Sequence, residues 1–477
     1  MYFFLSVFLS SLLFFLSQPN FLLNHGLPLL AWFCYVPVFL YVRFSSKVLS
    51  SLAGGAFGFL SFFLFGLWLL KYNVAAAFAV FFLYAILFSA LFFVLKKCEF
   101  SERFCILLKT STFLFVEFLR TQGPLGLSYG VTGYSQWTVV PLVKTASIWG
   151  VWGISFIIVF FNVLVSESVF QVCFQKKKLS WEKIYYSVFF AAALIFSIVY
   201  GSLISFPTGD KSSNFLLVQN NSNPKASGIE AYKKETQDLI RITANALAAH
   251  PETDFVVWPE TAVVPDILYH YSSNADEQRH ELVMDLLEFI DSTECVFIIG
   301  NNYGKVEDGK LFSYNSVLVF SGKKNVFPPE PEIYSKIHLV PFSECVPFSN
   351  IFPPLKKLAL KNSSLWDAGK EFKVFNEKGL KFSTPICFED TFPSVVRRMK
   401  KNGADLIVNL TNDSWSKSLA CQYQHLSMAV FRAAENKIPA VRSTCSGQTC
   451  VISAEGKVLA MIPPFSEGFL FFNVNHR

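Results

Sequence analysis

Charge is what this sequence has little of. Only 16% of its 477 residues are Asp, Glu, Lys or Arg, against about one quarter in a typical soluble domain, which argues against an ordinary cytosolic enzyme. The net charge of +6 is small for this length, so a nucleic-acid groove has little support. There is no internal repeat and no low-complexity tract, and the ten cysteines show no zinc spacing. A hydrophobic content of 52% rules out a disordered chain. What is present is apolar and aromatic: 54 Phe and a mean hydropathy of +0.40 suit contact with lipid, and the length leaves room for two or three domains.

The basic excess is uneven. Residues 1–206 carry 13 Lys+Arg against 5 Asp+Glu, and the remainder 28 against 30. The positive charge therefore flanks the hydrophobic runs, as in the cytoplasmic loops of a membrane protein. A spanning helix needs about 20 mostly apolar residues. Seven such runs start near Tyr2, Leu27, Val48, Ala75, Phe104, Pro141 and Ile184. The fifth contains Glu117 and ends at Arg120, charges that are either functional or close to the membrane interface, with the interface favoured. Arg43, Lys47, Lys96, Lys97, Arg103, Lys176, Lys177, Lys178 and Lys183 fall on one side, and Lys71, Arg120 and Lys144 on the other. The positive-inside rule then puts the first group in the cytoplasm and everything beyond Phe206 outside. The first run lacks a basic start and a small-residue cleavage site, so it is expected to remain as a span. The expected organisation is a transmembrane domain over 1–206 and an extracytoplasmic catalytic domain over 207–477.

From Asn214 onward the texture changes. NFLLVQ, DFVVWP, CVFIIG, NSVLVF, FSTPIC, DLIVNLT and TCVISA read as strands. Amphipathic stretches at Ile229 to Ala249, Asp276 to Ile290, Phe392 to Lys401 and Ala420 to Asn436 read as helices. This alternation predicts an α/β layered domain. An outside location permits disulfides; Cys445 with Cys450 is one candidate pair, and free thiols are the other reading.

Three segments place reactive side chains at or just beyond apolar strands, where α/β sheets commonly present a site. They are VWPET (257–261), YSKIHLVPFSECVP (334–347) and PICFED (385–390). A thiol near its reference pKa is mostly protonated at neutral pH, so a nucleophilic Cys387 needs a base or a nearby cation. Glu260 can take the proton and later return it. Lys336 can stabilise the thiolate and the oxyanion formed when Cys387 attacks a carbonyl. Taken singly, each has a plain structural alternative: Cys387 as a small buried hydrophobe, Glu260 as a helix-start carboxylate, Lys336 as a solvated charge.

Together the three strings resemble the Glu-Lys-Cys signature of the nitrilase, or carbon-nitrogen hydrolase, superfamily, and K-x-H-L-V-P-F-x-E-x-V-P resembles its apolipoprotein N-acyltransferase branch. VEFLR (116–120), GYSQ (133–136), NLTNDSW (409–415), Gln424-His425, RAAE (432–435) and RST (442–444) extend the similarity over almost the whole chain. The resemblance implies an α-helical transmembrane bundle of about seven spans plus a nitrilase-like α-β-β-α sandwich. It implies residence in the bacterial cell inner membrane with a periplasmic catalytic domain. The implied reaction takes a fatty acyl chain from a phospholipid onto Cys387 as a thioester. The chain then passes to the α-amino group of the S-diacylglyceryl-cysteine of an apolipoprotein. Glu260, Lys336 and Cys387 are the implied catalytic residues, and Glu344, Phe388 and Glu389 support them or bind substrate. No cofactor, metal or nucleic acid is implied.

The chain departs from the family pattern where Phe388 replaces a Tyr, where Cys345 replaces an aromatic, and at the tail 468–477, which is too short for a last span and leaves the C-terminus outside. His338 and His425 read as structural, and Arg432 with Glu435 as an i,i+3 ion pair. Asn412, Asp413 and Trp415 stay open between a substrate entrance and a turn. Two rival functions remain: a membrane-tethered nitrilase-type amidase acting on a small amide, and a transporter or receptor with an inert external domain.

Overall fold

The structure is a computed structural model that describes residues 2–206, 209–223, 226–273, 275–349, 351–358 and 365–477. It divides into two compact units: Met1–Ser205 with Ser416–Glu435, and Phe206–Trp415 with Asn436–Arg477.

In the first unit helices begin at or near six of the apolar runs read from the sequence, Tyr2–Ser17, Lys47–Phe65, Val74–Lys97, Cys105–Leu119, Val140–Val169 and Trp181–Leu203, while the run near Leu27 divides into a short 3-10 helix Pro28–Trp32 and the helix Val36–Phe44. Among the described residues, four helical stretches are long and apolar enough to cross a membrane: Lys47–Phe65, Val74–Phe100, Val140–Phe174 and Trp181–Leu203. The chain reads as a multi-pass membrane protein. Tyr2–Ser17, with 16 residues, reaches only ~24 Å at ~1.5 Å per residue.

Small residues let these helices approach. Gly54 and Gly58 turn toward Tyr84, Phe88 and Phe92 of the neighbouring helix, where a methyl group would collide, the small-xxx-small device of membrane helices. Tyr35 lies at the centre of an aromatic core, its ring 4.8 Å from that of Phe113 and 5.8 Å from that of Phe57. Glu117 and Arg120 both face protein. Glu117 Oε1 accepts from the backbone N–H and hydroxyl of Thr132 at 2.6 and 2.7 Å. Arg120 donates to the Tyr84 hydroxyl at 2.8 Å and the Tyr129 carbonyl at 2.9 Å.

The helix Leu419–Asn436, amphipathic in the sequence, belongs to this unit. Its Gln424 donates to the carbonyls of Pro19 and Phe65 at 2.9 and 3.0 Å and accepts from the Trp68 indole at 2.8 Å. At its other end Arg432 and Glu435 pair at 2.9 Å, deeply buried. Gly150 interrupts Val140–Val169 with a φ of 64°, and the Val151 N–H beside that kink donates to Glu435 Oε1 at 3.0 Å.

The second unit is built on two six-stranded sheets. The first holds β1 (Lys211–Gln219), β2 (Phe255–Val257), β3 (Val296–Glu307), β4 (Lys310–Ser321), β5 (Glu332–Ser335) and β12 (Gly468–His476), in the order β12-β1-β2-β3-β4-β5. The second holds β6 (Phe375–Glu377), β7 (Leu380–Ser383), β8 (Leu406–Thr411), β9 (Ala440–Thr444), β10 (Cys450–Ile452) and β11 (Val458–Met461), in the order β11-β10-β9-β8-β7-β6. β1, β2 and β3 run parallel, as do β7, β8 and β9.

Strand alternation assigns the faces. Leu216, Val218, Val256 and Trp258 join Leu239, Ile242, Val283 and Leu286 of helices Ile229–Ala249 and Glu277–Asp291 in one core. Each such side chain contributes about 1.5–3 kcal/mol on full burial. The opposite face meets the second sheet, with the rings of Phe255 and Phe382 5.9 Å apart. There the Ser443 hydroxyl donates to the carbonyl of Val218 at 2.7 Å. The tail 468–477 is not loose: β12 pairs antiparallel with all of β1, from Lys211 opposite His476 to Gln219 opposite Gly468. All ten cysteines, Cys445 and Cys450 included, are free thiols.

Candidate active site

The three motifs lie at corresponding points of the two sheets. Glu260 follows the C-terminal end of β2, Cys387 that of β7, and Asn412 that of β8, while Lys336 directly follows β5. Each parallel strand delivers its next residues to the same end of the layered sheets, the usual place for a site in such a fold.

Glu260 and Lys336 meet. The Lys336 ammonium, 1% exposed, donates to Glu260 Oε1 at 3.2 Å and to Glu344 Oε1 at 2.8 Å. Backbone amides complete the carboxylates: Asn412 N–H donates to Glu260 Oε2 at 2.8 Å and Val340 N–H to Glu344 Oε2 at 2.8 Å. The main chain of Lys336 is fixed on both sides, its N–H donating to the Asn315 carbonyl at 2.9 Å and its carbonyl accepting from Gly369 N–H at 2.8 Å. Burial works against a charged lysine, but Glu260, Glu344 and Cys387 outweigh it and hold Lys336 well above the ordinary lysine value.

Cys387 opens a 3-10 turn, Cys387–Thr391, with a φ of 48°. A side chain in the left-handed region is uncommon outside glycine and is a mark of sites where backbone geometry is held for a purpose. Burial first, then Glu260, push the Cys387 thiol well above the usual cysteine value, while Lys336 pulls it down and Asp413 and Glu344 add to the rise. The resting group is a thiol that feels all the charges of the site.

Glu389 ties the turn to the lysine loop. One oxygen accepts from the N–H groups of Ile337 and His338 at 2.8 and 3.1 Å, the other from Ile386 N–H at 2.8 Å. The Tyr334 hydroxyl lies 2.9 Å from both oxygens. Burial raises the Glu389 carboxyl above its ordinary value despite these amides. Next to it, Asp390 pairs with the fully buried Arg442 of β9. Phe388 packs edge-on against Phe392, 4.9 Å between centroids, and the His338 ring also lies edge-on to Phe392 at 4.9 Å. His425 is on the helix Leu419–Asn436, in the helical unit.

All six residues singled out from the sequence are thus accounted for. Glu260, Lys336 and Glu344 are in direct contact, Cys387 is within their electrostatic reach, Glu389 braces two loops, and Phe388 packs against an aromatic neighbour. Asn315 was not read from the sequence, although it had a signal, a polar amide heading the apolar run NSVLVF. Tyr334 lies in the quoted motif but was given no role there, and Asn412, left open between an entrance and a turn, contributes its backbone N–H, for which a sequence has no signal. Among the described residues no cluster of three or more His, Cys, Asp or Glu side chains is arranged to hold a metal ion.

Comparison with known proteins matches residues 212–476 to the carbon-nitrogen hydrolase family and residues 10–164 to the apolipoprotein N-acyltransferase N-terminal domain. The chain is 38% identical to apolipoprotein N-acyltransferase 1 of Treponema denticola, over 98% of this chain and 89% of that protein. It is 39% identical to apolipoprotein N-acyltransferase 1 of Treponema pallidum, over 99% of this chain and 89% of that protein. Among solved structures it is similar to Saccharomyces cerevisiae Nit3, with a TM-score of 0.41 and 16% identity over 57% of this chain and 93% of that one. A carbon-nitrogen hydrolase match behind an N-acyltransferase helical match, with such identity along nearly the full length, means that this chain belongs to the apolipoprotein N-acyltransferase family.

Proposed function

We propose that this protein is a membrane-embedded acyltransferase that moves a fatty acyl chain from a phospholipid to the N-terminal α-amino group of a diacylated apolipoprotein, by way of a thioester on Cys387. The observation that carries the reading is Lys336 bridging Glu260 and Glu344 in a buried site that acts electrostatically on the Cys387 thiol.

In the first half-reaction Glu260 takes the thiol proton as the sulfur attacks the ester carbonyl, and Lys336 steadies the oxyanion. The ester C–O bond breaks, and Glu260 returns the proton to the departing alkoxide, releasing a lysophospholipid. In the second, the acceptor amine attacks the thioester and gives a proton to Glu260. The C–S bond breaks, the amide forms, and the proton goes back to the sulfur. Glu344 holds Lys336 in place throughout, and Glu389 and Phe388 shape the ground around the nucleophile.

Helices able to span a bilayer belong with this chemistry. Donor and acceptor are both held in the membrane by acyl chains, at about 0.8 kcal/mol per buried CH₂, so a site on a membrane-anchored chain meets substrates that a freely diffusing enzyme would wait for. The basic loops read from the sequence favour an inner-membrane protein whose catalytic part faces the periplasm.

The test is intact-mass analysis of the detergent-solubilised protein after incubation with a phospholipid of defined acyl chains. One acyl addition is expected, removable by hydroxylamine or by a diacylated peptide amine and absent in Cys387→Ala. Release of free acid from soluble amides, with no adduct from phospholipid, would instead establish the amidase reading.

A further inference from the structure

We propose that Asn315 is a positioning residue of this site, whose side-chain amide holds the Glu260 and Glu344 carboxylates in register with the Lys336 ammonium. The inference rests on the reading of Glu260 as base and Cys387 as nucleophile.

Asn315 lies on β4 and is 2% exposed. Its Nδ2 donates to Glu260 Oε1 at 2.8 Å and to Glu344 Oε1 at 3.2 Å. These are the same two oxygens that Lys336 Nζ reaches at 3.2 and 2.8 Å. Two donors and two acceptors therefore close a ring, in which the amide is the stronger partner of Glu260 by distance and the ammonium the stronger partner of Glu344. The backbone of the same residue receives the Lys336 N–H at 2.9 Å. One position on β4 thus fixes both the main chain of the lysine and the two carboxylates it serves.

The other half of the amide explains why the residue is there. Asn315 Oδ1 is buried without a hydrogen-bond partner, so the acceptor side is desolvated with no return. Packing would be served as well by an apolar side chain like those of Val317 and Val319 on the same strand. The residue is kept for its N–H groups.

Other groups act on the same ring from every side. Lys336 and Glu344 come from the segment after β5, and Cys387 and Glu389 from the turn after β7. Asp413 and the Asn412 N–H come from the loop after β8, and Cys445, beyond β9, has its thiol 3.6 Å from the Glu260 carbonyl.

The experiment follows Cys387 acylation over time by intact mass in the full-length protein in detergent, across a range of concentrations of a defined phospholipid, for wild type, Asn315→Ala, Asn315→Asp and Cys387→Ala. The limiting rate constant should fall about 10- to 100-fold in both Asn315 variants, with the fraction of protein finally acylated and the phospholipid concentration at half-maximal rate within about twofold of wild type. A residue that only supports the strand would lower the acylated fraction and leave the rate constant where it is. A rate constant unchanged in both variants, or failure of both to fold, overturns the role of Asn315. Acylation persisting in Cys387→Ala overturns the underlying reading instead.

Discussion

The protein contains two buried sites made of the same parts. In the helical unit Lys109, 2% exposed, lies 2.9 Å from Glu99 and 2.8 Å from Glu167, and the Cys105 thiol is 3.8 Å from Glu167. In the sheet unit Lys336 bridges two glutamates at almost the same distances, within reach of Cys387. A glutamate, a lysine and a cysteine brought together therefore do not make a catalytic site by themselves; the surroundings separate the two. Around Lys109 the carboxylates are saturated by further cations, Lys96 at 2.6 Å from Glu99 and Arg43 at 3.5 and 3.6 Å from Glu99 and Glu167. Cys105 begins a regular helix. Around Lys336 the remaining partners are neutral amides, and the thiol stands on a left-handed turn. The first arrangement satisfies charges that a membrane protein must pair. The second leaves Glu260 held by neutral donors and one lysine, the setting that the proposed base role calls for.

The comparison breaks first at the cysteines. Cys387→Ser should abolish lipoprotein acylation, because the hydroxyl is a far poorer nucleophile and leaving group in the same geometry. Cys105→Ser should leave acylation within about twofold of wild type, since the buried Cys105 thiol makes a contact with Glu167 that a serine hydroxyl can also donate. Equal losses in a membrane-based acylation assay would mean that the two sites are not functionally distinct. The lysines should divide along another line. Lys336→Ala is expected to remove nearly all turnover, whereas Lys109→Ala takes away the buried ammonium between Glu99 and Glu167, with Lys96 and Arg43 still in place, and should cost about 1–3 kcal/mol of stability. The checks are kcat for the first and the temperature of irreversible inactivation in detergent for the second. A stable, fully active Lys109→Ala would dismiss the structural role assigned to that cluster.

Much of this organisation is written in the sequence, for physical reasons that also explain the gaps. The helix from Ile229 to Ala249 falls on the residues its periodicity gives, and the other three amphipathic segments agree to within a residue at either end. Their apolar faces repeat at the period of a helix. β5, β6, β9, β11 and β12 were not read. Three of them are only 3 to 4 residues long, too short for alternation to register, and β12 looks like an apolar tail until its pairing with β1 is seen. Glu260, Lys336 and Cys387 are legible because the motif strings around them are long and specific. The Lys109 cluster is not, because Glu99, Cys105, Lys109 and Glu167 are joined by helix packing and no local pattern marks them. The place of Leu419–Asn436 in the helical unit is equally hidden. Its periodicity gives a buried face and says nothing of Gln424 reaching the carbonyls of Pro19 and Phe65.

The smallest expected effect sharpens the comparison at the thiol itself. Burial and then Glu260 hold the resting Cys387 thiol above the usual cysteine value, with Lys336 acting in the opposite direction. A raised thiol pKa means a smaller thiolate fraction at pH 8, so iodoacetamide should modify Cys387 more slowly than it modifies a free cysteine. Neutralising Glu260 removes a charge that opposes the thiolate. The sign then follows: Glu260→Gln should lower the pKa of Cys387 and speed its alkylation by about three- to tenfold, half to one pKa unit, while the same variant loses acyl transfer. Activity and reactivity would move in opposite directions, as they must if Glu260 serves as a proton carrier during turnover and as an electrostatic brake on the thiol at rest. Slower alkylation in Glu260→Gln, read by mass spectrometry of the Cys387 peptide, would instead mean that the carboxylate already holds the thiol proton before substrate arrives.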